Sequence, residues 1–137
     1  MNTDNLNKEY EETFKEIIYI KNDKNKSREY LIFKPGNLTL EHNKDDLTKY
    51  ISYLGFKVLE NNNLIYAIID LHNYDRKVIS VKYIVKIIIL FKKLFPNKLE
   101  KCIIINATKT FKVLYNMVKM FIEKETRKRI EIRLINE

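Results

Sequence analysis

Between Leu64 and Ile132 three short apolar segments alternate with two amphipathic ones, and this alternation constrains the fold more than any other feature of the chain. The first apolar run, Ile65 to Ile69, ends in an acid, Asp70, followed by Leu71 and His72. Its β-branched content and length are those of a strand. Residues 80–94 follow with Ile84, Ile87, Ile88, Phe91, Leu94 and Phe95 on one helical face and Lys82, Lys86 and Lys93 opposite. Pro96 supplies no backbone donor and ends that helix. A second strand over Cys102–Asn106 leads to a helix predicted over 110–124. The basic turn Thr126-Arg127-Lys128-Arg129 then opens a third strand. Strands separated by helices join in parallel through right-handed crossovers. The fold class is therefore α/β, with a mixed, mainly parallel sheet and helices packed on it.

Upstream, residues 16–21 and 28–34 read as two strands joined by the polar turn Asn22 to Ser27, and Pro35-Gly36 stops the second. A helix is predicted from Lys44, capped by Asn43 and carrying Asp45 and Asp46 in its first turn. Leu47, Tyr50, Ile51 and Leu54 form its apolar stripe. Residues 1–10 read as a loosely held, flexible segment, with a short helix from Glu9 to Lys15. At 137 residues with only 2 Gly and 2 Pro, the chain reads as one domain, 1–137. The lone cysteine, Cys102, cannot pair within the chain, which fits a reducing, cytoplasmic setting. No apolar run approaches the roughly 18 to 20 residues of a membrane span.

The segment predicted as the final helix is apolar around most of its circumference. Phe111, Leu114, Tyr115, Val118 and Phe121 make a core stripe, and Val113, Met117 and Met120 a second row. Lys112, Asn116, Lys119 and Glu123 leave only a narrow polar strip. A sheet covers one side of such a helix. The other calls for the N-terminal segment, a neighbouring chain or a ligand.

Charge is unevenly placed. Residues 1–75 carry 10 basic and 13 acidic side chains, residues 76–137 carry 16 and 5, and the net charge is +8. The basic half favours anionic partners, either an acidic lipid surface or an acidic protein. Nucleic acid is not expected, since charge alone speaks for it. Catalysis is not expected either: Asp70 and His72 have no nucleophile beside them, and no Gly-rich phosphate loop occurs. His42, His72 and Cys102 lack the spacing of a metal site.

In order and spacing these segments resemble the CRAL-TRIO family over about residues 15–134. Asp70-Leu71 is similar to the family's Asp-Leu strand end, and Phe95-Pro96-Asn97-Lys98-Leu99 to its Tyr-Pro-x-x-Leu segment. Asn106-Ala107-Thr108-Lys109-Thr110-Phe111 is similar to Asn-Ala-Pro-x-x-Phe, with Thr108 where the family has proline. Thr126 to Ile130 resembles its Thr-x-x-Lys-Ile turn, and Asp23 to Arg28 its Asp-x-x-Gly-Arg-Pro turn, with Ser27 and Glu29 replacing Gly and Pro. The family's pocket-lining polar residues have no counterpart at Lys112 and Val113. The resemblance implies a truncated core lacking the C-terminal gate segment. It also implies non-enzymatic binding, or transfer, of a phospholipid or other hydrophobic lipid with peripheral membrane association, and no cofactor beyond that lipid. The lipid-binding set is then Ile103, Ile105, Phe111, Leu114, Tyr115, Met117, Val118, Met120 and Phe121, with Lys124, Arg127, Lys128 and Arg129 touching an anionic surface. The alternative is a protein-interaction or scaffolding module of the same fold, a homodimer included, that has lost lipid binding.

Overall fold

The computed structural model describes residues 3–135. Helix α1 (Thr3–Phe14) precedes a hairpin of β1 (Ile18–Asp23) and β2 (Arg28–Phe33). Helix α2 (Lys44–Asn61), β3 (Ile65–Asp70), α3 (Val81–Leu94) and β4 (Leu99–Ala107) follow. Helix α4 (Lys109–Val118), a 3-10 turn at Lys119–Phe121, the single-turn helix α5 (Lys124–Arg127) and β5 (Ile130–Leu134) complete the chain. The first helix begins at Thr3, well before Glu9, where the sequence pattern places its start.

Helices α2, α3 and α4 each start where a short polar side chain takes up a free backbone donor. The Asn43 side chain accepts from the Asp46 N–H at 3.0 Å, and Ser80 Oγ accepts from the Tyr83 N–H at 3.1 Å. Thr108 Oγ1 accepts from the Phe111 N–H at 3.0 Å, so the residue that departs from the family's proline is the N-cap of α4. That helix is shorter than its apolar spacing predicts. It ends at Val118, and Met120 and Phe121 sit on the 3-10 turn beyond it.

The strands lie in the order β1-β2-β3-β4-β5. The first pair is antiparallel, with Ile18 opposite Phe33 and Asp23 opposite Arg28, and the remaining pairs are parallel. Three crossovers step across the sheet in one direction. Right-handedness then requires α2, α3 and α4 to lie on the same side. Leu31, Phe33, Ile65, Ile69, Cys102 and Ile104 point to that side and join Leu47, Ile51, Ile84, Ile88, Phe91, Phe111 and Tyr115 in the core. Helix α1 packs on α2 through Tyr10 and Phe14, whose rings lie 6.2 and 6.1 Å from that of Tyr50. The chain's N-terminal part therefore covers α2 and leaves α4 alone.

Gly36 sits in the turn after β2, against the loop after β3. A Cβ there would lie 1.9 Å from the His72 carbonyl oxygen, a backbone atom with no freedom to rotate away. Gly36→Ala is expected to lower the unfolding free energy in urea by about 1 to 3 kcal/mol, because the two loops must separate to admit a methyl group.

Burial pushes the Cys102 thiol from its ordinary 9.0 up to about 12, and the Tyr50 and Tyr74 hydroxyls from 10.0 up to about 12. The folded chain holds protons that the unfolded chain releases, so this part of the stability is full below about pH 9 and falls as pH rises toward 12. The unfolding free energy is expected to decline above pH 9, the thiol contributing up to about 1.4 kcal/mol per pH unit. Cys102→Ala should remove the first part of that slope in urea titrations between neutral and alkaline pH.

Candidate functional site

With every crossover helix on one side, the other side of the sheet carries no helix among the described residues. The register assigns its occupants. One row runs Tyr19, Ile32, Ile68, Ile103 and Glu131 across all five strands. Toward the amino ends of the parallel strands lie Lys21, Tyr30, Tyr66 and Lys101, and toward their carboxyl ends Asp70 and Ile105. The Tyr30 and Tyr66 rings meet edge to face at 5.0 Å.

Ile32 and Ile103 are only 7% and 5% exposed although no helix covers them. Long charged side chains share the face with them, and such side chains can lay apolar stems along a sheet with their charged ends outward. Lys101 bridges Glu131 at 3.2 Å, and Arg133 reaches the same carboxylate. Arg133 and then Lys101 hold the Glu131 carboxyl below its usual range. The Lys34 ammonium lies 5.5 Å from the Tyr19 ring centre. Arg28 stands over Tyr66 and Tyr30 at 5.2 and 5.8 Å and bridges Glu100 at 2.9 Å. The apolar row is thus framed by cations and ion pairs that a ligand would have to move.

On the helix side an open cleft of about 630 Å³ lies between α1, α2 and β1, beside Tyr50, Tyr53 and Lys57, but little space lies between the helices and the sheet. A gap of about 40 Å³ lined by Ile51, Ile87, Ile88, Phe91 and Cys102 separates helices from sheet, against roughly 300 to 1,000 Å³ for small-molecule sites.

The residues that the sequence marks for lipid contact fall on two sides of the molecule. Ile103 and Ile105 belong to the helix-free face. Phe111 and Tyr115 are buried on the opposite side, their rings stacked 6.3 Å apart, with Leu114 and Val118 half-buried beside them. Met117, Met120 and Phe121 are exposed on the outer surface of the helix layer. No single ligand can touch Ile103 and Met117 together, because the sheet lies between them. The predicted basic set is also uneven. Lys124 and Arg129 are exposed, while Lys128 bridges Glu125 at 3.2 Å. Arg127 is half-buried, its Nε without a hydrogen-bond partner among the described residues. Tyr19, Ile32, Tyr66 and Ile68 went unmarked by the sequence reading. Their signal was the strand period: when alternate residues on both faces are apolar, each face needs its own cover.

At the carboxyl ends of β3 and β4, Asp70 Oδ1 accepts from the His72 backbone N–H at 3.0 Å and from Asn106 Nδ2 at 2.8 Å. Asn106 takes a left-handed backbone, φ 58°, which a short amide side chain tolerates. The carboxylate is a tie between two loops, and the His72 side chain is exposed. Among the described residues no group of three or more His, Cys, Asp or Glu is placed to hold a metal ion.

A mainly parallel sheet with helices on one face and an isoleucine row on the other defines an open-faced α/β binding domain. The CRAL/TRIO domain family model matches residues 13–134, and the chain belongs to that family. CRAL/TRIO proteins are generally lipid-binding proteins rather than enzymes. The solved structure described as "Crystal structure of Sfh5" is similar in fold, with a TM-score of 0.74 and 21% sequence identity. The match covers 89% of this chain and 49% of that one, so the chain spans about half the length of that structure. No helix among the described residues is long and apolar enough to cross a membrane.

Asp70→Ala frees both loops at the carboxyl end of the sheet. Loss of two hydrogen bonds to a carboxylate is expected to lower stability by about 2 to 4 kcal/mol in urea unfolding. The His72 amide should exchange with solvent faster in the variant by NMR.

Proposed function

We propose that this chain binds a phospholipid or another long-chain lipid on the helix-free face of its sheet, makes and breaks no covalent bond, and associates peripherally with membranes. The carrying observation is the helix-free row Tyr19, Ile32, Ile68 and Ile103, extended by Ile105 toward the carboxyl end, in which Tyr19, Ile68 and Ile105 are half-exposed. Parallel strands are normally covered on both faces, and an acyl chain laid along this row would supply the missing cover. Each methylene removed from water contributes roughly 0.8 kcal/mol, so even a partly covered chain binds usefully. The flanking side chains turn aside at modest cost, because the Lys101 and Glu131 side chains are half-exposed and ion pairs at the surface contribute about 0 to 1 kcal/mol. Membership of the CRAL/TRIO family supports the same reading.

A second reading places a protein partner, a second copy included, on this face. The mixed charges of Lys101, Glu131 and Arg133 beside the isoleucines suit a protein surface as well as a lipid.

Native mass spectrometry of the purified chain, with lipid extraction, separates the two readings. Wild-type protein should carry lipid or take it from vesicles. Ile68→Lys with Ile105→Lys places two charges on half-exposed positions of the row and should cut that loading by at least about tenfold at unchanged fold. A chain that neither carries nor transfers lipid, and scatters light as a stable dimer, would establish the protein-partner reading instead.

A further inference from the structure

On the far side of the molecule, α4 and the turn after it expose Val113, Met117, Met120 and Phe121 at 59%, 64%, 72% and 67%. Val113 and Met117 are one helical turn apart, and the 3-10 turn continues the stripe through Met120 and Phe121. Four large apolar side chains this exposed in one short segment exceed the scattered apolar residues of an ordinary surface. We propose that this stripe docks on an anionic phospholipid bilayer, its apolar side chains entering the interface and its flanking lysines meeting the headgroups. The proposal deepens the membrane association proposed above but uses the side opposite the lipid-binding face.

The charge around the stripe decides the occupant. Helices α3 and α4 contain no acidic residue. They carry Lys82, Lys86, Lys92, Lys93, Lys109 and Lys112, and Lys119 lies on the turn. Of these, Lys92 bridges Glu123 at 2.5 Å, and the others have no ion-pair partner among the described residues. A second copy meeting this patch across a two-fold axis would set lysine against lysine, which disfavours a homodimer here. A nucleic acid would match the charge but leave the methionines and Phe121 unburied. An anionic bilayer satisfies both features at once. Interfacial segments of this kind combine an apolar face with flanking lysines, and each well-placed cation strengthens binding to acidic lipid. The face that holds the ligand stays clear of the membrane in this arrangement.

Co-sedimentation with vesicles of phosphatidylcholine alone, and with about one-third phosphatidylserine, tests the proposal. The wild-type chain should partition onto the anionic vesicles at least about tenfold more strongly than onto neutral ones, and less as salt rises. Met117→Ser with Phe121→Ser, and separately Lys112→Gln with Lys119→Gln, should each reduce that partition by about tenfold or more. These residues are exposed or half-exposed, so circular dichroism and lipid loading by native mass spectrometry should stay as in wild type. The Ile68→Lys, Ile105→Lys chain should lose lipid and keep vesicle binding, which separates failure of the lipid-binding reading from failure of this one. Equal partition onto both vesicle types, partition onto neither, or wild-type binding by the Met117, Phe121 variant would overturn the proposal. So would a dimer in light scattering that the same variant dissolves.

Discussion

The handedness of three successive crossovers organises this molecule. Each parallel connection must turn right-handedly, and all three advance across the sheet in the same direction, so their helices accumulate on one side. Doubly covered α/β sheets avoid this by reversing direction partway, which sends later helices to the other face. Here the order β1-β2-β3-β4-β5 contains no reversal. The result is a molecule with two unlike exteriors: a sheet face of tyrosines and isoleucines, and a helix layer of lysines with one greasy stripe. Both proposed surfaces follow from a rule about chain direction rather than from any single motif.

The charged frame on the sheet face has a physical purpose whether or not a ligand is present. Isoleucines on a helix-free sheet face invite association with other chains, and Lys101, Glu131, Arg133, Lys34 and Arg28 place charge at the borders of the row. The lysines of α3 and α4 do similar work around Met117 and Phe121.

Much of the architecture was legible in the chain itself. The apolar runs at 65–69 and 102–105 fall within β3 and β4, and the caps at Asn43 and Ser80 begin helices where local chemistry says they must. Less legible was the grouping of residues on faces. Ile103 and Phe111 are near in sequence and both apolar, yet Ile103 lies on the helix-free side and Phe111 on the other. Hydrophobicity alone carries no record of which way a strand residue points; only register against neighbours does. The end of α4 at Val118 was hidden for a related reason. Its apolar spacing continues through Phe121, while the backbone tightens into a 3-10 turn that brings Ile122 into the core at 2% exposure. Residues earlier than Glu9 are polar enough to read as loose, but Tyr10 and Phe14 anchor their helix on Tyr50. That is a tertiary contact, invisible to any local window.

The close seat of Gly36 against His72 bears on the order in which the chain assembles. The β1–β2 hairpin closes through a four-residue turn and needs no distant partner. Joining it to β3 must wait until the whole α2 excursion has been ordered, an entropic delay typical of parallel pairing. The latch between the two loops can form only after that step, so it records completion of the slowest pairing while lending nothing to the earlier hairpin. A side chain at position 36 would therefore quicken unfolding far more than it slowed folding.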